Sequence, residues 1–134
     1  MLRFFAALLV AFALAPAASS AACLGPNPAI THVTVINHTT SNQVSRYHLV
    51  GTVTNEGTAG QPSNVLQFVD IWHDGDKMDS RGIPPLPLSG SHNFSYDWVR
   101  ASDAGAGTTK LTFRMDVQSG TNCNPANGTY SVTF

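Results

Sequence analysis

Charge is scarce in this sequence. Only 11% of its 134 residues are charged, with seven Lys+Arg against eight Asp+Glu. No basic stripe or cluster appears, which removes the electrostatic footprint that nucleic-acid binding needs. No polybasic or amphipathic helical segment appears either, so nothing points to a membrane surface. There are two cysteines, Cys23 and Cys123, and no Cys-x-x-Cys, so a dithiol redox role has no motif to rest on. The chain also lacks a Gly-x-Ser-x-Gly nucleophile elbow. The glycines at Gly105 and Gly107 are followed by neither Lys-Ser/Thr nor a helical pattern, so they are not a phosphate loop. Paired carboxylates for glycoside chemistry could be assembled from Asp97 and Asp103 or from Asp70 and Asp79, but a domain this small offers little cleft. After residue 25 no stretch carries the 3.6-residue apolar period of a helix.

The long apolar run comes first. MLRFFAALLVAFALAPAASSAA has one cation, Arg3, then an apolar stretch over residues 4–14, then small residues. That order is a secretory signal peptide, expected to span residues 1–22, and the stretch is too short for a transmembrane helix. Ser20 stands three places before Cys23, where a lipoprotein signal carries an aliphatic residue, so lipidation of Cys23 is not expected. The mature chain, residues 23–134, is the size of one domain. Losing Arg3 leaves six Lys+Arg against eight Asp+Glu, a formal charge of −2. No transmembrane segment is expected in it, and the destination is the periplasm or the medium. There an oxidised Cys23–Cys123 pair is the default. Such a bridge closes a loop of roughly 100 residues, for which chain entropy gives about 4–5 kcal/mol as an upper figure.

What remains is rich in Thr, Val, Ser, Asn and Gly, with turn signals at short intervals. Strands are expected at about 30–37, 47–54, 65–73, 92–98, 110–117 and 130–134, with a short one after residue 75. Residues 38–45 break the pattern. Tyr47, Leu49, Gly51 and Val53 share one face by the period of two. Phe94, Tyr96 and Trp98 do the same against polar neighbours, as do Leu111, Phe113, Met115 and Val117. The Pro-rich RGIPPLPLSG reads as a connection. About seven strands at this spacing predict an all-β fold, an antiparallel immunoglobulin-like or fibronectin-type β-sandwich. In that topology the start of the first strand and the loop before the last lie at the same end, which suits the cysteine pair.

One stretch, WHDGDKMDS (residues 72–80), looks like chemistry. Asp-Gly between two strand-like runs is a strong signal for a type I′ hairpin, because both central residues take positive φ. A regular hairpin on Asp74-Gly75 sets His73 against Asp76, Trp72 against Lys77, Ile71 against Met78 and Asp70 against Asp79. Ile71 and Met78 would then share the buried face. Lys77 would lie near the Trp72 ring. The like-charged Asp70–Asp79 pair would need Lys77, Arg81 or Arg114 to neutralise it. With Val69 and Ile71 inward, Leu66, Phe68, Asp70 and Trp72 face out; the period alone also admits the reverse. Metal binding is not expected. A cation there would have to use His73, Asp74, Asp76 and Asp79, which lack the spacing of a calcium loop and a closing Glu. The five histidines are scattered, with no His-x-His pair.

Several segments together resemble the bacterial cell-adhesion-related domain family (CARDB). VGTVTNEGTAG resembles its strand ending in Asn-x-Gly and small residues. FVDIWHDGDKMDS resembles its next hairpin, IPPLPLSGSHNFSYDW its Pro/Leu-Gly segment leading to a strand that ends in Trp, and AGAGTTKLTFRMDV its Gly-Thr opening and alternating strand. The resemblance covers about residues 47–117. After Asp116-Val117 the chain continues QSGTNCNPANG, where the family has an acidic, Asn-rich run, so no cation site is carried over. The resemblance implies an immunoglobulin-like sandwich outside a bacterial cell, and adhesion or interaction as its role. The expectation is therefore an exported, non-enzymatic binding domain without a cofactor, its partner a protein or a glycan. The candidate binding residues are Trp72, Phe68 and Lys77. A carbohydrate-binding module using Trp72 and Phe68, or a small metal-binding protein on His73 and its aspartates, are the competing readings.

Overall fold

The structure, a computed structural model, describes residues 24–101 and 107–134. The expected leader at 1–22, Cys23 and Asp103 lie outside the described residues. Seven strands follow in order: β1 (Pro28–Ser41), β2 (Val44–Asn55), β3 (Leu66–His73), β4 (Asp76–Ile83), β5 (Ser91–Ala101), β6 (Lys110–Ser119) and β7 (Thr129–Thr133). A 3₁₀ turn, Pro125–Gly128, precedes β7. The strands form two antiparallel sheets, β1-β2-β5 and β4-β3-β6-β7, so the expected all-β sandwich is what the chain folds into. Strand β4 stays on the sheet of β3 through their two-residue turn, whereas an antibody constant-type domain places its fourth strand on the other sheet.

The period of two decides what is buried. From β2 the chain sends Tyr47, Leu49 and Val53 inward, from β3 Val69 and Ile71, from β5 Phe94, Tyr96 and Trp98, and from β6 Leu111, Phe113 and Met115. Gly51 completes the inner row of β2. It faces Phe94 across the β2–β5 ladder, and the Phe94 ring fills the place where a side chain would stand. Phe94 in turn packs on Phe113 of the opposite sheet, with ring centroids 5.8 Å apart. Arg81 ties β4 to β5 where the two sheets meet: its Nε donates to the Ser95 carbonyl at 2.9 Å, and its guanidinium sits over the Tyr96 ring.

Two expectations need correction. Residues 38–45 do not break the strand pattern. They continue β1 to Ser41 and turn into β2 through Asn42 and Gln43, both at positive φ, 50° and 61°. This half of β1 is exposed, so no apolar alternation announced it. The second correction concerns the β3–β4 hairpin. Asp74 and Gly75 take φ of 48° and 92°, and His73–Asp76 and Trp72–Lys77 pair as expected. Met78 is then an extra residue in a bulge. Ile71 therefore faces Asp79, not Met78, and Asp70 faces Ser80, not Asp79. Met78 is 59% exposed instead of buried. The bulge removes the like-charge pair that a regular ladder would have created.

One end of the sandwich is knitted together by amides. Asn55, at the end of β2, is almost wholly buried; its Oδ1 accepts from the backbone N–H of Asn27 and Gly57, and its Nδ2 donates to the carbonyls of Ala59 and Leu86. A Cβ on Gly57 would come within 2.0 Å of the Gly25 carbonyl oxygen, so only glycine lets the loop lie so close to residues 25–27. Gln61 and Gln67 exchange two amide hydrogen bonds at 2.7–2.8 Å, and Gln61 also bonds the backbone of Leu86 in both directions. Asn55 and Gly57 belong to the Asn-x-Gly segment and Leu86 to the Pro/Leu-Gly segment. Here they act as the internal hydrogen bonding of two loops that would otherwise bury unpaired backbone groups.

Candidate functional site

The sequence pointed to the outer face of the β4-β3-β6-β7 sheet, and β3 runs through its centre. Val69 and Ile71 are fully buried, which leaves Leu66, Phe68, Asp70 and Trp72 on the other face. Phe68 and Trp72 are half-buried, Leu66 is exposed, and the bulged Met78 is exposed next to the Trp72–Lys77 pair. The Trp72 indole N–H is covered and has no hydrogen-bond partner among the described residues. What Trp72 offers to solvent is therefore apolar ring and not a donor. Lys77 does not lie over that ring as expected. Its ammonium goes to Asp70 Oδ1 at 3.3 Å, and Ser80 donates to the same oxygen at 2.5 Å. Asp70 is 7% exposed, and a buried carboxylate needs such partners. Lys77 is itself half in water, so the ion pair contributes at most about 1 kcal/mol. Arg114, directly across from Asp70 on β6, is exposed.

The residues that a metal would have to use do not converge. His73 points into the sandwich, where its Nε2 meets the Tyr96 hydroxyl at 2.7 Å and its ring packs edge-on against Tyr96 and Trp98. Burial lowers its pKa, against a smaller opposing pull from Asp74. Burial likewise raises the Tyr96 phenol. The neutral ring can accept the Tyr96 proton, which suits both shifts. Asp74 Oδ1 accepts the Lys110 backbone N–H at 2.9 Å. Asp79 is held by Arg81 at 2.8 Å, and that bond, with the Ser80 N–H, pulls its pKa down. Asp76 sits exposed at the start of β4. Among the described residues no three His, Cys, Asp or Glu side chains gather as metal ligands.

A second feature was missed by sequence reasoning. On the outer face of the β1-β2-β5 sheet lies an open hollow of about 340 Å³. Asn37 and Thr39 of β1, Arg46 and His48 of β2, and Asp97 and Val99 of β5 line it. The ladder brings His48 opposite Asp97, and His48 Nδ1 hydrogen-bonds Asp97 Oδ1. Arg46 faces Thr39 on one side and Val99 on the other. The two halves of the pair are 49 positions apart, so only knowledge that β2 pairs with β5 could have joined them. Further along, the same face is plainly structural: Thr52 bonds Asn93, and Thr54 bonds Ser91.

Cys123 lies beside the start of the described chain. Its backbone N–H donates to the Pro26 carbonyl at 3.1 Å, and its Sγ stands 3.6 Å from the Gly25 carbonyl oxygen. The expected partner, Cys23, is outside the described residues.

The described residues thus form an antiparallel sandwich of two sheets. Its architecture is similar to a domain solved in solution from Methanosarcina acetivorans, described as a "putative cell surface protein": TM-score 0.54, 22% identity, 81% of this chain and 89% of that one. At that identity the likeness speaks for the fold. No family model and no curated protein matches the chain. Among the described residues no helix is long and apolar enough to cross a membrane.

Proposed function

We propose that this chain is an exported, non-enzymatic binding domain of the bacterial envelope, held in the periplasm or at the cell surface. The observation that carries the reading is the outer face of the β4-β3-β6-β7 sheet. Leu66 is more than half exposed there, Trp72 presents ring without its donor, Phe68 lies between, and the bulged Met78, also more than half exposed, follows Lys77 on β4. Apolar groups on a rigid sheet, with the Lys77–Asp70 ion pair and Arg114 set between Phe68 and Trp72, make a mixed contact surface. Exposed aliphatics beside the rings favour a protein partner; a glycan platform would use the rings alone. The leader expected at 1–22, and the similarity of fold to a domain described as a "putative cell surface protein", support this location.

The reading is tested with a photo-crosslinking residue placed at position 78 and, as control, at position 52 on the other outer face. In intact cells, position 78 should give a discrete adduct and position 52 none, and Trp72→Ala should remove the adduct. Equal labelling from both positions, or an adduct indifferent to Trp72→Ala, rejects this face. Soluble glycan that binds the folded protein and is lost in Trp72→Ala would replace the protein partner with a carbohydrate.

A further inference from the structure

The hollow on the opposite sheet is not part of that apolar face and has a different chemistry. We infer that it is a binding site for an acidic sugar, a uronate or the terminal uronate of a longer chain. Five observations converge. At about 340 Å³ the hollow is at the small end of ligand sites, one ring in size, and it is open on one side, where a chain could leave. Arg46 is exposed, and among the described residues it has no ion-pair or hydrogen-bond partner. A planar guanidinium is the side chain best matched to a carboxylate. Beside it, His48 engages one oxygen of Asp97, which fixes that carboxylate on the sheet and leaves its other oxygen to accept from hydroxyls. Asn37 and Thr39 add an amide and a hydroxyl on the β1 side. Val99, 49% exposed, offers an apolar strip on the β5 side for the C–H face of a ring.

The charge balance points the same way. Arg46 and Asp97 cancel, so an anion meets no net repulsion. A neutral sugar would leave the guanidinium without its counter-ion, and a bare carboxylate would leave Asp97, Asn37 and Thr39 unused. The site therefore selects for both features on one small molecule. All six groups sit on three strands paired across two ladders, so the arrangement is held before any ligand arrives.

The test titrates the mature, oxidised protein with glucuronate, trigalacturonate, glucose and acetate, followed by amide chemical shifts. Glucuronate and trigalacturonate should saturate, with shifts centred on Arg46, His48, Asp97 and Val99. Glucose and acetate should each bind at least tenfold more weakly. Arg46→Gln should weaken glucuronate about tenfold or more, as loss of a charged hydrogen bond implies, with an unchanged melting temperature. Asp97→Asn should narrow the preference for glucuronate over acetate. Trp72→Ala should leave glucuronate binding intact, which separates this site from the proposed contact face. Absence of saturable uronate binding, acetate binding as well as glucuronate, or full binding by Arg46→Gln would each overturn the inference.

Discussion

Replacing Gly51 with alanine sets two effects against each other, and the structure decides between them. Gly51 does not have positive φ, so alanine fits the backbone. Less freedom in the unfolded chain would then stabilise the fold by about 0.4–1 kcal/mol. Against this, a Cβ at position 51 would lie 2.2 Å from Cζ of Phe94 and within 2.8 Å of two more ring carbons. The ring cannot swing away, because Phe94 is buried and packed on Phe113. Overpacking of this kind costs about 1–3 kcal/mol. The net expectation is a destabilisation of up to about 2.5 kcal/mol, or up to roughly 10 °C in Tm for a domain near 110 residues. Urea unfolding should show a lower midpoint with an unchanged slope. Phe94→Leu removes the clashing ring atoms, so the double variant should be more stable than the sum of the single losses. Gly82→Ala is the control: nothing lies within 4 Å of its Cβ, and it should be neutral or slightly stabilising. A Gly51→Ala protein as stable as the parent, or strictly additive losses with Phe94→Leu, would show that the ring is not held as described.

Three further outcomes are expected. His73 has a folded pKa below the ordinary 6.5, so between the two values the unfolded chain binds more protons; stability is full above about pH 6.5 and falls as pH drops toward the folded value. The drop in urea midpoint from pH 7.5 to 5 should shrink in His73→Gln, and an equal drop in both proteins would show that this ring is not its source. Asn55→Ala leaves two N–H groups and two carbonyls of the loops without their side-chain partner and should cost at least about 2 kcal/mol; a loss under half of that by urea unfolding would mean that water replaces the amide. Mass spectrometry of the exported protein should find one Cys23–Cys123 bridge, for which the contacts of Cys123 with residues 25 and 26 leave the right approach; two free thiols, or a lipid on Cys23, would reject it.

The buried rows of β2, β5 and β6 were legible because each alternates apolar and polar residues over six or more positions. The Asp74-Gly75 turn was legible because few residue pairs tolerate two successive positive φ values. The Met78 bulge was not, since one extra residue leaves a short polar strand looking regular. A register error of one position then misplaced Met78 and invented the Asp70–Asp79 clash. The second half of β1 was hidden for a related reason: an exposed edge has no core to write a pattern into the sequence. The hollow could not be read at all. Its residues are outward positions of three strands, and their meeting depends on pairings between segments far apart in the chain.

The amide network of Asn55, Gln61 and Gln67 has a consequence for how the domain can change. It occupies the end where residues 24–27, 56–65, 84–90 and 120–128 meet, and those loops hold one another in place. The opposite end carries the two-residue turns at 42–43 and 74–75, the second tied to β6 by Asp74, whose backbone N–H and Oδ1 both bond the Lys110 backbone. The hollow, Trp72 and Met78 all belong to that second half. Loop length and sequence can therefore drift beside the recognition surfaces while the far end keeps the sheets in register. A tag or an inserted peptide belongs at Asn42-Gln43, where only a hairpin tip has to adjust; the same insertion after Gly57 would undo the junction of both sheets.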